Sequence, residues 1–187
     1  MRKVIIVVVV LSALVGCKKV DVLFPIPIRI GGTVEVEDST ATFRDSTFIP
    51  SSLLGAEIRD RAEEAGIEGV YLESVVLVVE RSGCSDATEV DGTLSVSLQS
   101  QSSRVYVLGK MDPVYPNQVV GDTLRPDLDS AGVRILNEFT QDALNGGSEI
   151  IKVIVSGTAN RARVDFDVTV VVTFTLVVIR EMTSIGL

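Results

Sequence analysis

Val164-Asp165-Phe166-Asp167-Val168-Thr169-Val170-Val171-Val172-Thr173-Phe174-Thr175-Leu176-Val177-Val178-Ile179 is the stretch whose reading decides the fold. Val164, Phe166, Val168, Val170, Val172, Phe174, Leu176 and Val178 recur at every second position. That is the period at which a β-strand returns to the same face, whereas a helix would scatter the same residues around its circumference. Between them stand Asp165, Asp167, Thr169, Thr173 and Thr175, with Val171 and Val177 as apolar exceptions. One face apolar and one polar is the signature of a half-buried antiparallel strand. The pattern therefore predicts a long strand over residues 164–179.

Working outward, Thr33-Val34-Glu35-Val36-Glu37 alternates in the same way, and further strands are expected over residues 70–80, 92–99, 105–108 and 150–158. Gly157-Thr158-Ala159-Asn160-Arg161 is expected to close a hairpin between the last two strands. Two helices interrupt the set. Ser51 or Ser52 can cap the first, with Leu54, Ile58 and Ala62 on one stripe, a Glu57–Arg61 pair on the wet side and Gly66 as its stop. The second is expected from Asp129 or Ser130 to Leu144, ended by Asn145-Gly146-Gly147. The fold class that follows is mainly β with two helices, an antiparallel β-sandwich-like domain. Outer-membrane barrels also use alternating strands, but they need at least about eight long ones, and too few are legible.

The N-terminus carries a different kind of signal. Met1-Arg2-Lys3 is positive, and residues 4–15 are apolar except for Ser12. A membrane span needs roughly 20 apolar residues, and this run ends sooner at Gly16-Cys17-Lys18-Lys19. Positive start, short apolar core and small residues before a cut site make a secretory signal. Leu14-Val15-Gly16-Cys17 moreover resembles the lipobox of bacterial lipoproteins at all four positions. The resemblance implies cleavage between Gly16 and Cys17, a diacylglycerol thioether on Cys17 and acylation of its new amino group. Two or more acyl chains anchor firmly where one is marginal. It also implies an address: Lys18 after the cysteine, rather than Asp, points to the outer membrane more than to the inner. The expected organisation is a signal peptide over residues 1–16, a lipidated cysteine and short tether over 17–27, and a single β-rich domain over 28–187. Val22-Leu23-Phe24-Pro25-Ile26-Pro27 holds two prolines, which restrict it to an edge or extended segment.

Composition limits the chemistry. Removing 16 residues from 187 leaves 171, enough for one domain, and the loss of Arg2 and Lys3 takes the formal charge from −8 to −10. An acidic domain is repelled by nucleic acid, so nucleic acid is not an expected partner. The chain has no His, which excludes histidine-dependent triads and the usual zinc sites. With Cys17 committed to lipid, Cys84 has no intramolecular partner, and no His or Lys beside it in sequence argues for reactivity.

The motif tests return structural readings. Asp127, Asp129, Gly132 and Glu138 occupy positions 1, 3, 6 and 12 of a calcium loop, but Ala131 stands at position 5 and Pro126 precedes it. Capping of the second helix by Asp129 or Ser130 is the better reading. Asp165 with Asp167, and Glu35 with Glu37, are same-face carboxylate pairs about 7 Å apart, as any wet sheet face produces. Tyr71, Tyr106 and Tyr115 form no run. No catalytic residue, metal ligand or cofactor is assigned. The expectation is a membrane-anchored envelope lipoprotein of binding or structural type, not an enzyme, engaging another envelope protein through an exposed strand edge. The alternative is a carrier for an apolar or small-molecule ligand, which calls for a cavity of several hundred Å³.

Overall fold

The computed structural model describes residues 19–62 and 65–183. In chain order the elements are β1 (Lys19–Asp38), β2 (Thr42–Pro50), α1 (Ser51–Ala62), β3 (Gly66–Ser82), β4 (Val90–Leu98), β5 (Tyr106–Val114), β6 (Thr123–Leu124), β7 (Asp127–Leu128), α2 (Ser130–Leu144), β8 (Ile150–Ala159) and β9 (Val164–Thr183). They form two antiparallel sheets, one in the order β1-β9-β3-β6 and the other β2-β8-β4-β5-β7. The protein is thus mainly β with two helices, and its sheets pack face to face as a sandwich-like domain.

β9 is the strand that the alternation predicts. It pairs with β1 along its whole length without a register shift, from Lys19↔Thr183 to Asp38↔Val164, and with β3 on its other side. All eight apolar alternate positions from Val164 to Val178 are buried, and Val164, Val170, Phe174, Leu176 and Val178 have no exposed surface. The outer face stays partly open, where the Thr33 and Thr169 hydroxyls bond across the strands at 2.9 Å.

Strand length sets the architecture. Twenty residues at about 3.3 Å each make β1 and β9 roughly 66 Å long, twice the length of the ten-residue β8. The shorter sheet covers one half of the long one, where Phe43 of β2 meets Phe166 of β9 edge to face at 5.5 Å. The helices complete the cover, α1 against β1 and α2 against β3. α1 buries Leu54, Ile58 and Ala62 as expected, and its Glu57–Arg61 pair forms at 3.7 Å. Ser51, however, is the first residue of the helix, and its hydroxyl donates to Asp142 Oδ2 at 2.7 Å, tying α1 to the end of α2.

α2 is capped by Asp129, whose carboxylate accepts from the Ala131 N–H at 2.8 Å. It buries Ile135, Leu136, Phe139 and Ala143, and ends where Gly146 takes a positive φ of 71°. Gly132 sits against β5 so closely that a Cβ there would lie 2.3 Å from Leu108 Cα and 2.5 Å from Val107 O.

Four features depart from the sequence reading. Residues 157–161 close no hairpin: β8 belongs to the short sheet and β9 to the long one, so this connection crosses between sheets. β2 has no counterpart among the expected strands, because only Phe43 and Ile49 are buried along it and polar residues stand between. β5 runs on to Val114, well past Leu108. Residues 19–27, expected as tether, already pair with β9 as the start of β1, whose prolines fall on the outermost strand of the long sheet.

Because backbone atoms cannot give way, Gly132→Ala is expected to lower stability by about 1–3 kcal/mol in urea unfolding. An unchanged midpoint would mean that α2 does not approach β5 so closely.

Candidate functional site

The site is built on β3. One side of this strand pairs with β9, but β6 covers the other only at Leu77 and Val78. Among the described residues, Gly66–Val76 therefore has no strand on its outer edge. Its register slips three times, between Ile67 and Gly69, Leu72 and Ser74, and Val79 and Arg81. The residue left over at each slip is a glutamate: Glu68, Glu73 and Glu80. Bulges and charges blunt an edge against a further strand. The longest regular stretch of the free edge is Gly69–Leu72, which is shorter than the exposed edge expected for strand addition.

α2 faces this edge across a cleft of about 620 Å³. Val70, Tyr71, Leu72 and Glu73 line one wall; Leu128, Val133, Asn137, Thr140 and Gln141 line the other. Leu72 and Val133 pack on the core at the cleft. Tyr71 and Leu128 stand at the opening, 57% and 44% exposed. Two of the polar groups are already engaged, since Glu73 accepts from the Thr175 hydroxyl at 2.9 Å and Thr140 donates to Leu136 O at 2.8 Å. Asn137 and Gln141 add amides that both donate and accept. The cleft thus offers apolar anchoring with a few polar contacts at its margin.

A second, smaller hollow of about 330 Å³ lies by Gln99, Ser100, Asp142, Ser148 and Glu149. Its carboxylates hold the chain together. Asp142 Oδ2 accepts from Ser51 and from the Glu149 N–H, and Glu149 Oε1 accepts from the Ser100 and Ile150 N–H groups. Burial pushes the Glu149 carboxyl up, but those hydrogen bonds outweigh it and hold it below the usual range. That suits an ionised acceptor and not a proton donor.

One of the two carboxylate pairs, Asp165 with Asp167, meets a cation that sequence spacing did not reveal. Arg81 donates through Nε and Nη2 to Asp167 at 2.8 and 2.9 Å, and its Nη1 lies 2.8 Å from Asp165 Oδ1. Glu35 and Glu37 stand directly across from Asp167 and Asp165 on β1. The fork holds the Asp167 carboxyl below its ordinary value and raises the Arg81 guanidinium. Cys84 is buried in the core, where its sulfur lies 3.3 Å from Asp165 O and 3.4 Å from Asp165 N. It lies two residues past the end of β3, beside the start of β9, as a packing residue with a weak hydrogen bond.

The remaining candidates separate. Asp129 caps α2, and Glu138 pairs with Arg134 one turn away along the same helix. The three tyrosines have different neighbours: Tyr71 at the cleft, Tyr106 under Arg134, and Tyr115 against Glu89. Gly16 and Cys17 lie outside the described residues. Compared with known proteins, the chain matches no family model and no curated sequence.

Asp167 gains stability from its lowered pKa, in full above the ordinary carboxylate value near pH 4, and loses it as pH falls through the lower native value. Arg81→Leu is therefore expected to destabilise the protein at neutral pH, with the difference from the parent closing in acid. A difference that persists unchanged in acid would show that Arg81 acts through packing alone.

Proposed function

We propose that this chain is a lipid-anchored protein of the bacterial cell envelope that docks another envelope protein in the cleft between β3 and α2. The anchor rests on the lipobox resemblance of Leu14-Val15-Gly16-Cys17, with cleavage after Gly16 and lipid on Cys17. Lys18 favours the outer membrane. The observation that carries the docking reading is the cleft itself: a short free strand edge beside exposed Tyr71 and Leu128. Aromatic and aliphatic anchors around a desolvated pocket are what partner proteins grip. The bulged edge favours side-chain anchoring over a long strand ladder. A non-enzymatic role fits Asp165, Asp167, Asp142 and Glu149, which are engaged by Arg81, Ser51 or backbone N–H groups.

The cleft volume also falls in the range of small-molecule sites, which supports a carrier as the second reading. A carrier encloses most of its ligand, however, and the space between the sheets is filled by Val36, Leu94, Val96, Val155 and Val170, none with exposed surface.

A photocrosslinking residue at Tyr71 in intact cells is expected to capture a discrete envelope protein, and one at Phe48 is not. Leu128→Asp is expected to weaken that capture about tenfold or more without lowering the melting temperature. Equal capture at both positions, or none at either, would remove the docking reading. Native mass spectrometry showing a retained apolar molecule would favour the carrier.

A further inference from the structure

Just inside the end of the long sheet where β1 begins, past the charged rows Asp21↔Glu181 and Val22↔Arg180, two successive rows are apolar on both faces of the sheet. Phe24, Val178 and Ile67 stand in one row across β1, β9 and β3, and Leu23, Ile179 and Gly66 stand in the next. Directly paired residues share a face and successive residues alternate. Phe24 and Ile67 therefore flank the buried Val178 on the core side, and Leu23 points to the opposite side. Val178 has no exposed surface, but Phe24 is 39%, Ile67 42% and Leu23 55% exposed. A core can take up only one face of a sheet, so this end needs an apolar environment that reaches both.

Chain connectivity names that environment. β1 is paired from Lys19 onward, and a single residue, Lys18, separates it from Cys17. Leu23 and Phe24 follow Cys17 by six and seven residues, at most about 25 Å even in a fully extended chain. Acyl groups on Cys17 would hold this end of the sheet against the bilayer. We infer that Leu23, Phe24 and Ile67 seat in the interfacial layer of the membrane, so that the protein stands on it by the apolar end of β1, β9 and β3 as well as by its lipid. The inference rests on the lipid anchor proposed above. A mature chain with a formal charge of −10 is not drawn to anionic headgroups, so the contact is apolar and forms on zwitterionic phospholipid.

The chain has no Trp, which makes single-tryptophan reporters clean. Phe24→Trp and Ile67→Trp probe the seated end. Tyr115→Trp, beside Glu89 towards the other end of the strands, is the control. Each lipidated mature protein, beginning at Cys17, is placed in phosphatidylcholine vesicles whose acyl chains carry bromine. Emission of the first two is expected to shift to the blue and to be quenched about twofold, at the depth of about 5–10 Å that interfacial side chains reach. The control is expected to respond to neither. The same response at all three positions, or no quenching at Phe24→Trp and Ile67→Trp while the intact mass shows lipid on Cys17, overturns the inference and leaves the anchor standing. An intact mass without lipid on Cys17 overturns the anchor, and the seated end with it.

Discussion

The constraint on which the rest of the structure depends is the length of the apolar face of β9. Eight inward side chains from Val164 to Val178 must be removed from water along a strand of 20 residues. The strands of the facing sheet are only nine or ten residues long, apart from the two-residue β7. A sheet of that size shields half of the face, and the other half would be exposed unless something else covered it. The two helices supply that cover. Each comes next in the chain after a strand of the short sheet, α1 after β2 and α2 after β7, so the topology places them where the sheet runs out. The Ser51–Asp142 hydrogen bond and the Gly132 contact with β5 lock the helices to each other and to the short sheet.

Both proposed working surfaces arise at the limits of this cover. α2 meets β3 beside its free edge and leaves the cleft there, rimmed by Tyr71 and Leu128. Further along, the cover ends before the strands do, and Phe24 and Ile67 emerge on either side of Val178. The cleft begins at Val70, three residues along β3 from Ile67. At about 3.3 Å per residue, the two surfaces lie roughly 10 Å apart. A partner in the cleft would consequently be met close to the plane of the lipid.

Much of the fold was legible because it rests on local pattern. The period of two in β9, the stripe Leu54, Ile58 and Ala62 and the Asp129 cap each reside in a few adjacent residues. β2 escaped because Asp45 and Thr47 interrupt its alternation, and Phe43 and Ile49 alone do not make a period. The turn at residues 157–161 looked like a hairpin because turn chemistry specifies a reversal of direction, not which sheet the next strand joins. The cleft could not be read at all, since Tyr71, Leu128 and Gln141 come from three elements far apart in sequence. The bulges did leave a trace: glutamates at 68, 73 and 80 within the largely apolar β3 mark each register slip. Arg81 had no such signal, because its tie to Asp165 and Asp167 exists only once β3 and β9 pair.

The central claim is that β9 is paired on both sides while β3 is open beside the cleft. Residue-resolved hydrogen exchange of the unbound protein tests it most directly. Amides between Phe166 and Leu176 should all exchange slowly, through global unfolding, because each has a strand on either side. Along Gly69–Leu72 protection should alternate, with amides that face β9 slow and those that face outward fast. Uniform slow exchange across Gly69–Leu72 would contradict the account, because it would mean that the edge beside the cleft is already paired.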